Sequence, residues 1–463
     1  MIVLPWLVAS ICTFGEPLES ILAQTNKPWS LSHQFGIPKW WDFHVEHRTR
    51  YESLDGQFRA GRRGSDQLLV MRTSIETRLK LDPINLVAEL VDSRQAFADS
   101  GTPLNTGIVN TIEPLQAYLE WAPDKKLLGT GEMRIKFGRM TKDLGSRRLL
   151  ARNRFRNTRN AFTGLDLETQ FGRDFAFNAF YLLPISRRPS APADLLNNDS
   201  KLDREGFNTQ LWGAFIRKNN LALKATGEAF LIGLHEYDTS KYPTRNRQLL
   251  NPGWRFFQKP NPGKIDYQIE SVIQFGTSRA STAVNDQNDL DHLAHFQHAE
   301  VGYTWRIHGE PRAALLYDYA SGDHSSTDGR NQRFDTLYGA RRFDFGPTGI
   351  YGAFARSNIQ SPGYRFTVNP YSALRLMATH RFIWLASSTD AWTTSGLRDT
   401  AGLSGNYLGH QMEMQLRWDI VPRNIRLELG GAYHMAGSFI HNAPNAADKG
   451  NTTYGYLQCT LNF

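Results

Sequence analysis

The chain of 463 residues has only two cysteines, Cys12 and Cys459, and no long apolar run after its first 14 residues. Two cysteines cannot form the disulfide framework of a small secreted domain. A membrane-spanning helix needs about 20 consecutive apolar residues, and the mean hydropathy of −0.46 is too polar for a helical membrane protein. These absences leave a β-barrel open, because only every second residue of a barrel strand contacts lipid.

The first residues have the character of an atypical signal peptide over residues 1–24. Met1–Phe14 is apolar and Ile21-Leu22-Ala23-Gln24 is compatible with a cleavage site, although the basic segment expected at the start is missing. The sequence therefore predicts export, with residues 25–41 as an N-terminal periplasmic lead-in.

From residue 42 onward, apolar and polar residues alternate with the period of a β-strand. In segment 69–81, charged residues such as Arg72, Glu76 and Arg78 share one parity, and Ile75 and Leu79 share the other. The strands predicted in this way are 42–52, 69–81, 84–94, 114–121, 131–139, 160–170, 173–184, 207–218, 221–237, 247–258, 264–277, 292–307, 312–321, 349–358, 364–386, 407–419, 424–436 and 452–463. Segment 364–386 is either one long strand or two strands broken near Pro370.

The connections between these segments alternate between short turns and long polar loops, which a soluble sandwich has no reason to do. The predicted fold is all-β: a transmembrane antiparallel β-barrel of about 18 strands over residues 42–463, with short periplasmic turns and long extracellular loops. An even strand number is expected of a single-chain bacterial barrel. The predicted localisation is the bacterial outer membrane.

The last strand ends on Phe463 and is expected to pair with the first strand near Asp42. The terminal aromatic is the expected signal for the barrel-assembly machinery. The other expected partners are outer-membrane lipid and lipopolysaccharide, and the barrel is expected to be a monomer.

The net charge of +8 also suits a soluble protein that binds nucleic acid. However, the arginines are spread over strand-like segments with interleaved acids, so we expect no nucleic-acid partner.

The densest charged feature is the arginine-rich segment 139–159. It is either a solvated surface loop or a loop that folds into the barrel and narrows it, and arginine rings set anion selectivity in pores. The arginines predicted to form this constriction are Arg48, Arg50, Arg72, Arg78, Arg134, Arg375 and Arg381 on inward strand positions, and Arg148, Arg152, Arg154 and Arg156 in the segment. Among the inward acids, which mostly pair with arginines, Asp166 and Glu168 lie nearest the segment and could repel or meter an anionic chain.

Signals for an enzyme or a metal are weak. His292, His295 and His298 have a spacing of three, which places neighbours on opposite faces of a strand. Asp318, Asp323 and Asp328 could bind calcium in an extracellular loop, but such Gly-Asp loops are more often plain turns. We therefore expect no catalytic residues and no cofactor.

Two stretches resemble the alginate export family of outer-membrane proteins. One contains Arg147-Arg148-Leu149 and Arg152-Asn153-Arg154-Phe155-Arg156-Asn157-Thr158, followed by Phe162-Thr163-Gly164-Leu165. The other is Ser321-Gly322-Asp323 with Phe334 to Gly349. The resemblance implies an 18-stranded barrel with inward-folded loops and an arginine-lined pore that passes alginate. It also implies constriction roles for Arg72, Arg152, Arg156, Asp166, Arg341 and Arg342.

The expected function is that of a passive outer-membrane channel, selective for anions, for an acidic polysaccharide or oligosaccharide such as an alginate-like polyuronate. Two alternatives remain open at this point. One is a general or nutrient-uptake porin for small carboxylated solutes, and the other is a closed barrel that anchors adhesive loops. A soluble basic β-protein is the third rival.

Overall fold

The computed structural model describes residues 28–123, 131–239 and 242–463. The expected signal peptide 1–24 lies outside these residues. Within them, eighteen antiparallel strands form one closed sheet. In chain order the strands are β1 Trp41–Asp55, β2 Ser65–Leu81, β3 Ile84–Ala96, β4 Asn110–Trp121, β5 Gly131–Met140, β6 Phe162–Phe171, β7 Phe175–Pro184, β8 Thr209–Lys218, β9 Thr226–Glu236, β10 Gln248–Gln258, β11 Lys264–Ser278, β12 Leu290–Thr304, β13 Arg312–Ala320, β14 Ile359–Tyr371, β15 Leu374–Trp384, β16 Tyr407–Val421, β17 Ile425–Ala436 and β18 Thr452–Asn462.

The remaining elements in the described residues are short. A two-residue strand, Arg330–Asn331, pairs in parallel with the start of β12, and the barrel wall is continuous without it because β13 pairs directly with β14. The helices are α1 Leu31–Gln34, α2 Pro192–Asn197, α3 Arg342–Phe345 and α4 Ser438–Asn442, with a 3₁₀ turn at Ala222–Lys224. None of the described helices is long and apolar enough to cross a membrane.

The barrel closes between its first and last strands, as the sequence predicts. The pairing of β1 with β18 runs from Glu46 opposite Asn462 to Asp55 opposite Thr453. Phe463 continues this ladder, because its backbone exchanges hydrogen bonds of 2.9 and 3.1 Å with Val45. Closure leaves no unpaired strand edge, which is the condition for a sheet to exist in lipid.

The predicted count of about 18 strands is confirmed, although it contains two errors that cancel. Residues 349–358 do not form a strand; they lie in a loop inside the barrel. Segment 364–386, left open as one strand or two, contains most of β14 and all of β15, joined by a tight turn at residues 372–373. The apolar run Ile350 to Phe354 is buried against the inner face, with Tyr351 stacked on Tyr454 at 5.2 Å. Local periodicity does not separate a buried apolar loop from a strand.

The barrel wall has apolar side chains on its outer face and polar side chains on its inner face, the opposite of the distribution in a soluble protein. Outward positions carry exposed apolar side chains such as Met414, which is 68% exposed, and Leu315. Inward positions carry buried polar side chains, including Arg50 at 1% exposure and Gln274. This alternation is the one that lipid outside and polar side chains inside require.

Two of the long loops fold into the lumen and create the site described below. We call residues 141–161, between β5 and β6, the first inner loop, and residues 321–358, between β13 and β14, the second inner loop. The opposite rim has short turns and the lead-in, where the Trp29 ring packs edge-on against Phe463 at 5.2 Å. Asn424 donates to the carbonyl of Trp29 at 2.6 Å and accepts from its N–H at 2.9 Å.

Candidate functional site

The first inner loop is held inside the barrel by arginines of the wall. Arg48 on β1 donates to the carbonyl oxygens of Arg154, Phe155 and Arg156 at 3.1, 3.0 and 3.0 Å. Arg50 donates to the carbonyl of Phe155 at 2.7 Å. A guanidinium presents several donors in a fixed plane, so it can bind consecutive carbonyls of an irregular segment. The inward position of Arg48 and Arg50 agrees with the sequence prediction, but their donors are largely occupied by the loop.

Asn157 anchors the same loop to three neighbouring elements. Its amide nitrogen lies 3.1 Å from the carbonyl oxygens of Met71 and Arg94, and 2.8 Å from that of Ile108. Ser93 returns a hydrogen bond of 2.9 Å to the carbonyl of Asn157. The loop is therefore a fixed part of the lumen, because its buried backbone groups find partners in the wall.

The second inner loop pairs with the first. The N–H of Tyr338 donates to the carbonyl of Leu149 at 3.0 Å, and Ala151 donates back to Tyr338 at 3.2 Å. Gly339 permits this approach, because a Cβ at that position would lie 1.8 Å from the carbonyl oxygen of Arg148. The two stretches that carry the family resemblance thus meet each other in the lumen.

A chain of alternating charges, which we call the paired chain, joins the first inner loop to the wall. Arg72 contacts Glu46 at 2.7 Å, and Glu46 contacts Arg159 at 2.6 Å. Arg159 then contacts Glu89 at 2.6 Å, and Glu89 contacts Arg152 at 2.7 Å. Three arginines share two carboxylates, so most of their charge is neutralised within the chain.

A second buried network joins the two inner loops to each other. Arg148 contacts Glu270 of β11 at 2.6 Å and Asp344 of α3 at 3.0 Å. Arg356 forms an ion pair with the same Asp344. Burial alone would lower the pKa of Arg148, but Asp344 and Glu270 raise it above its ordinary value. Arg148, predicted as a pore residue, is therefore an internal structural cation in this arrangement.

His298, Asp318 and Asp344 are the one group of three potential metal ligands found in the described part of the chain. Asp318 accepts from His298 at 2.8 Å and pairs with Arg381 at 2.8 Å, and Asp344 is taken by Arg148 and Arg356. Metal sites need carboxylates whose charge is free for the ion. These carboxylates already face guanidinium groups, so the group does not fit a metal.

The aspartates considered for calcium do not share a site. Asp318 lies in the His298 and Arg381 network. Asp323 accepts from the N–H of Gln332 at 3.2 Å, and Asp328 accepts from the N–H of Arg330 at 3.0 Å. The latter two carboxylates fix turns of the loop, which is the usual role of aspartate there.

Three predicted site residues are at least partly exposed, two on the barrel wall and one in the first inner loop. Arg78 pairs with Glu120 at 3.2 Å, and Arg134 lies 3.6 Å from Glu168 and is half-exposed. Arg154, in the first inner loop, has 71% of its side chain exposed and lies 3.3 Å from Asp143. Their roles in a constriction remain predictions.

The two acids predicted to meter an anion, Asp166 and Glu168, form ion pairs with lysines as well as with an arginine. Asp166 contacts Lys142 of the first inner loop at 2.7 Å. Glu168 contacts Lys136 at 2.9 Å. Both carboxylates belong to ion pairs of the wall or loop, and a role in metering an anion remains a prediction.

A cavity of about 750 Å³, which we call the lower cavity, lies between the inner loops and the short-turn rim. Arg342, paired with Glu413, and Arg375, opposite Arg417 in the strand register, both line it. Its lining includes eleven arginines and five glutamates, with no lysine or aspartate among the described residues. The eleven arginines are Arg48, Arg72, Arg147, Arg152, Arg154, Arg159, Arg342, Arg365, Arg375, Arg417 and Arg426.

A second cavity of about 320 Å³, which we call the arginine chamber, lies between the two inner loops. It is lined by Arg156, Arg187, Arg341 and Arg356, and by no Asp or Glu among the described residues. Burial, then repulsion from Arg187 and Arg341, lowers the pKa of Arg156 well below its ordinary value. Burial and the neighbouring Arg356 lower the pKa of Arg341 to about 10. The chamber therefore concentrates positive charge.

The chamber shares lining residues with the cavities on either side of it. Asn153 lines both the lower cavity and the arginine chamber. Ile185 and Tyr338 line both the chamber and an upper cavity of about 780 Å³ among the long loops. The three cavities thus follow one another along the lumen.

Two arginines of the chamber, Arg187 and Arg356, were missed by the sequence prediction. Arg356 falls in the segment wrongly assigned to a strand, and Arg187 lies in the long loop after β7. The adjacent pair Arg187-Arg188 in a predicted extracellular loop is the only sequence signal for the first of them, and it does not indicate an inward side chain.

A family model described as alginate export matches residues 39–452. The chain belongs to the alginate export family. No curated protein matches it in sequence. Together with the barrel, membership places this family member in the bacterial outer membrane.

Solved structures of outer-membrane porins are similar in fold. OccK11 (OpdR) of Pseudomonas aeruginosa is 13% identical with a TM-score of 0.53, covering 91% of this chain and 96% of that one. OccK8 (OprE) of the same organism is 10% identical with a TM-score of 0.57, covering 91% and 98%. A BenF-like porin of Pseudomonas fluorescens Pf-5 is 9% identical with a TM-score of 0.58, covering 91% and 98%. Family and fold are those of outer-membrane channels rather than enzymes.

Proposed function

We propose that this alginate export family member is a passive, anion-selective channel for an acidic polysaccharide or oligosaccharide, such as an alginate-like polyuronate. The observation that carries the proposal is the sign of the charge along the lumen. Eleven arginines and five glutamates line the lower cavity, and four arginines line the chamber with no carboxylate among its described lining residues, although Arg356 is paired with Asp344 behind it. A low-dielectric channel lined by one sign of charge concentrates ions of the other sign.

The mechanism needs weak contacts as well as attraction. Conduction requires each site to bind well enough for entry but weakly enough for release. Most arginines of the lower cavity are shared with carboxylates, as in the paired chain, so each retains only part of its attraction for a passing uronate. Arginine also matches a carboxylate with two parallel hydrogen bonds, which orients the sugar acid as it passes.

Planar-bilayer recordings under a salt gradient test this proposal. We expect the reversal potential of the wild-type channel to show anion preference, and Arg156→Glu with Arg341→Glu to weaken or reverse it. The matched control is Arg330→Glu, which makes the same charge change at an exposed residue of the two-residue strand Arg330–Asn331, outside the three cavities. Cation preference in the wild type, or the absence of any conductance, would rule the proposal out.

A second candidate, a porin for small carboxylated solutes, is favoured by the size of the chamber. Its 320 Å³ is near the lower limit of small-ligand sites, roughly 300 Å³. Uronate monomers and oligomers added to the bilayer separate the two functions. Interruption of the chloride current by oligomers, with longer events for longer chains, supports the polysaccharide, whereas block by monomers alone supports the small solute.

A further inference from the structure

The arginine chamber differs from the rest of the lumen because its positive charges have little internal compensation. Arg156 and Arg187 converge on one acceptor, the side-chain oxygen of Asn160, with Arg187 at 2.7 Å. Two guanidinium groups that share one neutral oxygen must lie close together. Arg341 has no ion-pair or hydrogen-bond partner for its side chain among the residues that the structure describes, and Arg356 is its charged neighbour.

The carboxylates near the chamber compensate only part of its positive charge. Asp203 acts on Arg187 from the upper cavity, where it also accepts from Asn110 at 2.9 Å. Glu52 lines an adjoining cavity of about 100 Å³ together with Arg156 and Arg341, but it is paired with Arg50 at 2.6 Å. Because Arg356 is paired with Asp344 and Arg187 faces Asp203, Arg156 and Arg341 are the chamber arginines left without a carboxylate partner among the described residues.

A second observation points to a ligand. Thr348, which is 5% exposed, lines both the chamber and the adjoining cavity, and its hydroxyl has no hydrogen-bond partner among the residues that the structure describes. Within the same described part of the chain, the Nε of Arg156 is likewise without a hydrogen-bond partner. Buried donors normally have an acceptor, and buried charge normally has a counter-charge. One group with several acceptor oxygens and a negative charge would satisfy both requirements.

We infer that the chamber is a binding site for one small oxyanion, a carboxylate or a tetrahedral oxyanion, held by Arg156, Arg187, Arg341 and the Thr348 hydroxyl. The inference rests on the proposed function in that the chamber lies on the proposed path. In the absence of the transported solute the site holds a resident counter-anion, and the carboxylate of a passing sugar acid takes that place. Arg356 adds positive electrostatic potential to the chamber. Its guanidinium does not offer two free N–H donors to the anion, because it is already paired with Asp344.

Thermal unfolding in detergent micelles tests the site without any need for conduction. The probe is sodium sulfate, compared with sodium chloride at matched ionic strength, and the readout is tryptophan fluorescence. We expect sulfate to raise the unfolding temperature of the wild type with saturation, since a ligand that binds only the native state stabilises it by mass action. In Arg341→Gln and Arg187→Gln, the half-saturating concentration should rise by about tenfold or more, the equivalent of about 1.4 kcal/mol.

Arg330→Gln is the control and should keep the wild-type response, because it removes the same charge from an exposed residue that does not line the chamber. Thr348→Val leaves every charge in place and should weaken the sulfate response by a smaller factor. Retention of the full response in Arg341→Gln and Arg187→Gln, or equal stabilisation by chloride, would overturn the site.

Glucuronate competition distinguishes the source of the oxyanion. If glucuronate shifts the sulfate curve, the site accepts a sugar carboxylate; if it does not, the site takes an inorganic oxyanion alone, and both results support an anion site. A saturable sulfate response in a protein that shows no conductance would support the site and reject the proposed channel. Anion selectivity without any sulfate response would support the proposed channel and reject the anion site in the chamber.

Discussion

The paired chain and the arginine chamber use the same residue type, only a few residues apart in the first inner loop, for different purposes. Arg152 and Arg159 are matched by Glu89, and Arg159 also by Glu46. Arg156, between them in sequence, faces Arg187 and Arg341 instead. Neither composition nor parity distinguishes these arginines. The difference lies in which wall residues each one meets once the loop has folded inward.

This comparison separates the structural arginines from the ones available to a solute. A buried ion pair with good geometry fixes a loop, and loss of one partner leaves a buried charge uncompensated. A cluster of like charges stores unfavourable energy that an incoming anion relieves. The lumen therefore contains a rigid part, in which arginines are paired with carboxylates, and a part available to a solute, in which arginines lie beside other arginines.

The largest expected effect comes from breaking the paired chain. Glu89→Gln leaves Arg152 and Arg159 without their shared carboxylate, and Glu89 is fully buried. Removal of one partner of a buried pair costs about 3–5 kcal/mol. We expect a loss of that order in the free energy of unfolding, measured by urea titration in micelles.

The matched control for this change is Glu310→Gln on an exposed turn at the opposite rim from the long loops. It makes the same isosteric neutralisation at a residue that forms no ion pair within the described residues, and it should leave the unfolding midpoint within error of the wild type. Equal effects of the two substitutions would mean that the paired chain does not stabilise the lumen.

A smaller loss in the free energy of unfolding is expected from a substitution at the contact between the two inner loops. In Gly339→Ala the new Cβ would lie 1.8 Å from the carbonyl of Arg148, so the inner loops must separate locally. Overpacking of this kind costs about 1–3 kcal/mol. Urea titration should show that loss, and the sulfate response of the chamber should weaken with it. An intact sulfate response would show that the chamber does not depend on the pairing of the loops.

Much of the barrel was accessible from sequence because its wall obeys one rule. Period-two alternation is imposed on each strand by lipid on one side and polar side chains on the other. It identified β2 and β16 with small errors at their ends, and it predicted the closure of β1 against β18. The mistaken strand at 349–358 arose where this rule does not apply. Ile350 and Phe354 are buried by packing inside the lumen, with the Phe354 ring stacked on Trp392 at 5.4 Å.

The site was less accessible, because its geometry depends on contacts between distant loops. The resemblance pointed to two stretches, and the structure pairs them at Leu150 and Tyr338. No local pattern indicates that Arg187 turns inward or that Arg148 finds Glu270, a residue 122 positions away. The sequence shows which residues are positively charged, but it does not show which of them find a carboxylate partner in the folded chain.

The smallest expected effect has the opposite sign and sharpens the comparison. Arg341→Gln removes a buried guanidinium that faces Arg156 and Arg356 rather than a carboxylate, so it relieves repulsion and burial of charge. In chloride buffer of low ionic strength we expect the free energy of unfolding to stay the same or rise by up to about 1 kcal/mol, the size of a typical gain at a suboptimal site. Urea titration measures this, and the gain should shrink as salt screens the wild-type repulsion. A loss comparable to that of Glu89→Gln would show that Arg341 is matched after all, and that the lumen contains one class of arginine rather than two.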